Sequence, residues 1–343
     1  MANQEGQLSL YVRAPLRVDF AGSWSDDPAF VDSAGGCVVN AAIGSYVHVE
    51  FFTGGKTIRL FSEDSKEHAT ISSPAQLVYD GKLDRHKAAL NMLPVTGGIE
   101  ILSRSDVPPG SGLGEEAALD VALLAGLARG RLEDYDAADL VELGILLDAG
   151  ELRRSGLRQD HHAAVFGGFS ELRCSPEGLK RRSIPVSQEA ADDLAAHTLL
   201  LHVGQTHFSA QTYQRIWSAY ASDEPTVSEA MGGMRDLARD VGAVLEARDW
   251  EALAALVDRN WQYQLRLDAT MTTPHIRSIE SAVRDAGAWG VKATGEGTGG
   301  CFLVVCPPDK RDDVAAAAEA HGATQLRCCF SLEGVTVAEP EDD

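Results

Sequence analysis

The most constraining stretch of the chain is Val107-Pro108-Pro109-Gly110-Ser111-Gly112-Leu113-Gly114, which runs directly into the apolar segment Ala117 to Ala128. Two adjacent prolines stop any preceding element. Three glycines at alternate positions then allow a tight loop whose backbone N–H groups approach a ligand closely. The segment that follows carries Leu, Val and Ala at helical spacing, so the loop opens onto a helix N-terminus. Partial positive charge and unpaired N–H groups at that end suit a phosphate. A chain built this way must place the start of a buried helix against a loop of low side-chain bulk.

The rest of the chain supplies the frame. Leu8 to Phe20 alternates as a strand broken by Pro15, and Cys37–Ile43 and Tyr46–Phe52 read as two strands joined by a Gly44-Ser45 turn. Thr57–Phe61 and Gly98–Ser103 read as further strands, so the first third is β-rich. Helical segments are expected at Ala137–Gly150 and Gln159–Phe166, and from Phe208 to Ala286 in four pieces, the last of them opened by Thr273 as an N-cap with Pro274 at the first helical position. Strands are expected at Phe169–Cys174, Thr198–Val203, Gly290–Thr294, Cys301–Cys306 and Thr324–Phe330, with a helix at Val314–His321. Runs of strands followed by runs of helices describe an α+β fold of two lobes. At 343 residues the chain has room for two domains, and the polar, Pro- and Gly-containing stretch Arg173–Pro185 divides it into residues 1–175 and 176–343.

Three other segments carry chemistry-bearing residues. Lys292-Ala293-Thr294-Gly295-Glu296-Gly297-Thr298-Gly299-Gly300 lies between two strands and holds more glycine than a hairpin needs, which points to close backbone approach to a ligand. Ala21-Gly22-Ser23-Trp24-Ser25-Asp26-Asp27 ends a strand with an aromatic and two carboxylates, suited to sugar hydroxyls or to capping. For Trp24, core packing and substrate stacking are equally weighted. Arg158-Gln159-Asp160-His161-His162 gathers a cation, a carboxylate and two imidazoles in one turn, and the adjacent histidines point apart, so they are no paired metal site. His202 and His207 flank Gly204-Gln205 and serve either the cleft or the core.

Charge narrows the partners. Lys and Arg total 30 against 51 Asp and Glu, a net charge of −21, which opposes nucleic acid and anionic membranes as partners. Small-molecule substrates are expected instead, held by a few placed groups, with a homodimer left open. The six cysteines form no C-x-x-C pair and read as reduced thiols of a cytoplasmic protein. Met1 to Ser9 has no signal-peptide pattern, and no apolar run is long enough to span a bilayer.

Together the four loops resemble the motifs of the GHMP kinase superfamily. RAPLRVDFAGSWSDDPAF resembles the first motif of its fucokinase and heptose-phosphate-kinase branch, and PPGSGLGEEAALDVALL resembles the second. RQDHHAAVFGGF and KATGEGTGGCFLVV resemble its Asp-bearing helix and its third motif. The resemblance implies a two-lobed α+β fold with the active site between the lobes. It implies that Gly110, Ser111, Gly112, Leu113 and Gly114 receive phosphate, that Asp160 takes the catalytic carboxylate's place, and that Asp26 meets a substrate hydroxyl.

The chain departs from the family where phosphate binds. Glu115 and Glu116 replace the usual hydroxyl residues, Glu296 and Thr298 replace small residues of the third motif, and Ser23 replaces a glycine of the first. Carboxylates repel a bare phosphate but ligate Mg²⁺. Three readings follow: a kinase with Glu115 or Glu116 on Mg²⁺, a binding protein, or another phosphate–sugar reaction. The superfamily's non-kinase branch joins phosphoribosyl pyrophosphate to an aromatic acid with loss of pyrophosphate and CO₂. Carboxylates that steady an oxocarbenium-like centre suit that chemistry. The sequence reading therefore favours a Mg²⁺-dependent C-glycoside synthase, with an ATP-dependent sugar or sugar-phosphate kinase as the alternative. In it Glu115 and Glu116 hold Mg²⁺ or face the anomeric carbon. Arg17, Arg158 and Lys292 offset anionic groups, and Asp160 or His161 moves a proton. Ser23, Trp24, Thr294, Gly295, Glu296, Gly297 and Thr298 complete the binding surface.

Overall fold

The structure is a computed structural model and describes residues 7–73, 76–129, 135–153, 158–204 and 210–339. His207 and the end of the acidic tail lie outside the described residues. Two sheets organise the chain. The larger contains β1 (Gln7–Ala21), β2 (Gly36–Thr53), β3 (Ile58–Ser62), β4 (His68–Ile71), β5 (Ile99–Ser105), β6 (Phe169–Ser175) and β7 (Gly178–Ile184). The smaller contains β8 (Thr198–Gly204), β9 (Gly290–Ala293), β10 (Gly300–Val305) and β11 (Thr324–Leu326), in the order β11-β8-β10-β9, all antiparallel. The last strand, β12 (Thr336–Ala338), returns to pair with β1.

Strand β2 is long enough to serve two neighbours. Its first half pairs with β6 and its second with β5, while β1 runs along its other edge. The turn expected at Gly44-Ser45 does not exist: β2 continues through it, with a register shift against β1 at Pro15/Leu16. Gly44 is needed for a different reason, because a Cβ there would lie 2.4 Å from Cys329 Sγ. Pro15 bends β1 at that bulge without ending it, since the shift spares it a ladder donor.

The division expected between residues 175 and 176 falls inside the β6–β7 hairpin, and both strands belong to the larger sheet. The polar composition of Arg173–Pro185 reflects an edge strand: on β7 Lys180 and Arg182 are exposed, while Arg181 on the other face is half-buried over the Phe166 ring. Three helices had no clear sequence signal: Pro28–Ala34, Asp84–Met92 and Gln188–Ala196. The expected helix Ala137–Gly150 divides into an α-helix, Ala137–Ile145, and a π-helical turn, Leu146–Glu151.

The main core lies between the inner face of the larger sheet and the helices Glu115–Ala128, Arg158–Phe166 and Pro225–Ala247. The helix Glu115–Ala128 is buried almost all round, with Val121, Leu123 and Leu124 at zero exposure. That burial fixes its N-terminus, and the glycine loop before it, against β1. The second core packs Trp261, Ile279, Phe302 and Val304 around the smaller sheet. Among the described residues no helix is long and apolar enough to cross a membrane.

Candidate active site

The site forms where the two sheets present their loops to one another. Gly112 and Gly114 both take positive φ, and a Cβ on Gly114 would press on Arg17 at 3.2 Å and Asp160 at 3.4 Å. Gly295 and Gly300 are constrained from the other side: a Cβ on Gly295 would lie 2.9 Å from the Gly112 carbonyl, and one on Gly300 2.6 Å from that of Ser111. The close backbone approach expected of the second glycine loop is therefore made largely to the first loop. The two loops interlock, and both lobes contribute to one cleft.

A buried ion pair fixes that interlock. Lys292 on β9 and Asp19 on β1 are both fully buried and bonded to each other, and Asp19 Oδ1 accepts from the Gly295 N–H at 2.9 Å. Burial pushes the Asp19 carboxyl up, but Lys292 and Arg17 more than offset this and hold it below the usual range. Lys292 was expected to face anionic substrate. It is committed to Asp19 instead and does not reach the cleft.

The cleft has a volume of about 340 Å³. Its floor is the first loop, from Gly110 to Gly114, with Glu115 and Glu116 at the helix start. Thr294, Gly295, Glu296 and Gly297 face it from the second loop, and Arg17, Ser23, Trp24, Asp160 and His161 complete the expected set. Asp26, Arg158 and Thr298 are not part of the lining. Asp26 lies just beneath, almost wholly buried, with Oδ2 3.4 Å from the Gln159 N–H and Oδ1 unpartnered. Thr298 is buried at φ +65°, and Trp24 is buried at φ +76°. A β-branched or bulky side chain rarely takes that conformation, and such strain gathers at binding sites. Trp24 packs in the core with Phe30 and Met231 and also lines the cleft, with its ring 6.2 Å from that of Tyr213.

Arg17 and Asp160 form the centre. Arg17 Nε donates to Asp160 Oδ1 at 2.8 Å and Nη2 to Oδ2 at 3.0 Å, a two-pronged pairing, while Nη1 donates to the Gly112 carbonyl at 2.6 Å. Burial would lower the Arg17 pKa, but Asp160, Asp19 and Asp26 more than offset that and keep the guanidinium charged. The fork holds the Asp160 carboxylate in one plane beside the glycine loop.

Several residues of the site were not among the expected site residues, although Asp27 and Gln159 stand in segments that the sequence singled out. Arg85, from the helix Asp84–Met92, reaches under the loop and donates to Asp120, to Glu116 at 2.5 Å and to Asp148 at 3.0 Å. Asp27 caps the helix Pro28–Ala34 and accepts from the Tyr213 hydroxyl at 2.6 Å. Gln159 also lines the cleft. His161 and His162 are both buried; His161 Nε2 lies 3.7 Å from Asp120, and burial lowers His162 to about 4.

Glu115 and Glu116 differ from each other. Glu116 accepts from Arg85 through one carboxylate oxygen, and its side chain is largely exposed. Burial, with Asp64 and Glu116 nearby, pushes Glu115 up to about 7. Burial does the same to Asp26 and Glu296, each raised to about 7, with Asp160 the next cause in both. Among the described residues no three His, Cys, Asp or Glu side chains converge as a metal cage.

The raised acid gives a pH prediction. A carboxyl moved from 4.5 to about 7 contributes stability below about pH 4.5 that is lost as pH rises through 7. Glu296→Gln keeps the neutral form at every pH. It is expected to match the parent's melting temperature near pH 4.5 and exceed it at pH 8. Equal melting temperatures at both pH values would remove this account of Glu296.

Models of known families match both lobes. The GHMP kinases N terminal domain matches residues 82–168, and the GHMP kinases C terminal region matches residues 241–324. The chain belongs to the GHMP kinase superfamily. It is similar to the D-glycero-alpha-D-manno-heptose 7-phosphate kinase of Campylobacter jejuni, 27% identical over 95% of this chain and 98% of the relative. It is also similar to a mevalonate kinase of Pyrococcus abyssi, 26% identical over 86% of this chain and 89% of the relative. Among solved structures, a D-glycero-D-manno-heptose 1-phosphate kinase from Bacteriodes thetaiotaomicron superposes with a TM-score of 0.80 at 21% identity, covering 97% of this chain and all of the other. Lactococcus lactis galactokinase bound to galactose gives 0.76 at 16% identity, covering 98% of this chain and 96% of the other. These superpositions establish the two-lobed α+β kinase fold.

They also correct the functional expectation. The relatives spanning the chain are small-molecule kinases, and the C-glycoside synthase reading is overturned. The physical reason is local. The acidic residues that suggested a departure from kinase chemistry are not a pair of free carboxylates, because Arg85 lies against Glu116 and answers its charge.

Proposed function

We propose that the protein is an ATP-dependent kinase that transfers a phosphoryl group to a hydroxyl of a sugar or sugar phosphate. The observation that carries this is the Arg17–Asp160 fork beside a glycine loop at a helix N-terminus, in one cleft. The relatives named for heptose phosphates support the acceptor class.

In this reading the loop N–H groups and the helix N-terminus receive the donor's phosphates. Asp160 accepts a hydrogen bond from the acceptor hydroxyl and takes its proton as the phosphoryl group moves. Arg17 keeps that carboxylate aimed. The buried Ser23 hydroxyl, which lines the cleft without a partner, lies where a further acceptor hydroxyl would satisfy it, with the unpartnered Asp26 Oδ1 beneath the lining. Phosphoryl transfer of this kind uses Mg²⁺, which neutralises charge on the phosphates. Mg²⁺ needs only one or two carboxylates besides phosphate and water. Glu115, at the cleft floor, suits that position better than Glu116, which is bonded to Arg85.

An ADP-release assay with Mg²⁺-ATP and a panel of heptose phosphates, hexoses and hexose phosphates tests the proposal. Release that depends on one acceptor supports it. Release that is absent throughout, or independent of any acceptor, counts against it.

A further inference from the structure

A second cavity, of about 890 Å³, adjoins the cleft on the far side of the glycine loop, and Ser62, Tyr79, Leu83 and Leu119 are part of its wall. Four residues line both cavities: Arg85, Gly110, Glu115 and Glu116. Arg85 is the one cation among the four. It is held from behind: Nη1 donates to Asp120, which has no exposure, and Nη2 to Asp148, whose side chain is 11% exposed. Its third partner is different in kind, because the Glu116 side chain is 62% exposed and lies at the cavity wall. The guanidinium therefore has two fixed anchors and one partner able to swing into solvent.

We propose that Arg85 binds the phosphate chain of the nucleotide where it crosses from one cavity to the other, giving up Glu116 for a phosphate oxygen. This rests on the kinase reading. The transferred phosphoryl group must reach Asp160 in the first cavity, so the nucleoside occupies the second and the phosphates pass between them. At that passage the two glutamates bring negative charge to a place that must admit an anion. A guanidinium fork suits phosphate oxygens in geometry as well as charge. Glu116 thus acts as the stand-in anion of the empty site, keeping Arg85 extended along the wall until phosphate arrives.

Calorimetric titration of the full chain with ADP plus Mg²⁺, and separately with adenosine, tests the assignment. Arg85→Met is expected to weaken ADP binding by about 10- to 100-fold and to leave adenosine binding unchanged. Arg85→Lys, which keeps the charge and loses the fork, is expected to fall between the two. Glu116→Gln, a change at an exposed side chain, releases Arg85 and is expected to tighten ADP binding by about two- to fivefold. If Arg85→Met fails to fold because Asp120 is left unpaired, the other two variants decide. Equal loss of ADP and adenosine in an Arg85 variant, or ADP binding that Glu116→Gln leaves unchanged or weakens, overturns the proposal. A parent protein that binds neither ligand overturns the kinase reading itself, and the role of Arg85 with it.

Discussion

Asp160→Asn is expected to reduce turnover by about 10²- to 10⁴-fold, the range spanned by a positioned general base. The substitution preserves volume, and the Asn carbonyl can still accept one bond from Arg17. It loses the second, because an amide NH₂ would face the Arg17 Nη2 that now donates to Oδ2 at 3.0 Å. It also cannot take a proton from an acceptor hydroxyl. Asp160 sits at the start of the helix Arg158–Phe166, and its side chain is 17% exposed, so the substitution is expected to fold. Nucleotide affinity is expected to stay within about threefold of the parent, because in this reading the loop and Arg85 hold the donor. A variant that keeps turnover within threefold would remove Asp160 from the chemistry. One that loses nucleotide affinity in parallel would make it a binding residue.

The largest expected stability effect belongs to Lys292. Replacing it by Met strips a fully buried carboxylate of its partner, which costs about 3–5 kcal/mol in comparable buried pairs. The consequence reaches the site because Asp19 also holds the Gly295 N–H, and so the seating of the second loop on the first. Lys292→Met is therefore expected to lower both the urea midpoint and kcat/KM. The double variant Asp19→Asn, Lys292→Met removes the orphaned charge and leaves an amide oxygen for Gly295, so it is expected to recover most of the stability. A single variant within about 1 kcal/mol of the parent would show that the pair is not what holds the loops together.

The fold was legible because its signals are local. The Pro-Pro-Gly break, the apolar run from Ala117 and the Thr273-Pro274 start all act within a few residues, and each element formed where expected. Thr273 does cap its helix, accepting from Ile276 N–H at 3.2 Å. The exceptions are equally instructive. Gly44-Ser45 has turn composition, but the strand runs straight through, paired with β1 on both sides, and the glycine is there because a distant cysteine needs the space. The helix Asp84–Met92 carries Arg85, His86 and Lys87 in succession, all buried, so no amphipathic period advertises it.

The site was legible as a set of loops and illegible as a set of pairings. Arg17 and Asp160 are 143 positions apart, and Lys292 and Asp19 are 273 apart. Nothing in either neighbourhood says which cation answers which carboxylate. Lys292 looks like a substrate ligand from its motif and is an internal strut. Glu115-Glu116 looks like a bare acidic pair, and the missing fact was an arginine from a helix 31 residues upstream of Glu116.

The account's central claim is transfer of a phosphoryl group from ATP to a sugar hydroxyl in the Arg17–Asp160 cleft. The most direct measurement is incubation with Mg²⁺ and ATP labelled in its γ-phosphoryl group, against heptose phosphates and other sugars, with the label followed by position-resolved mass spectrometry. The account predicts label on a sugar oxygen, one ADP formed per labelled sugar, and loss of the transfer in Asp160→Asn. Label recovered only in unreacted ATP or in free phosphate, with every acceptor left unlabelled, would contradict it.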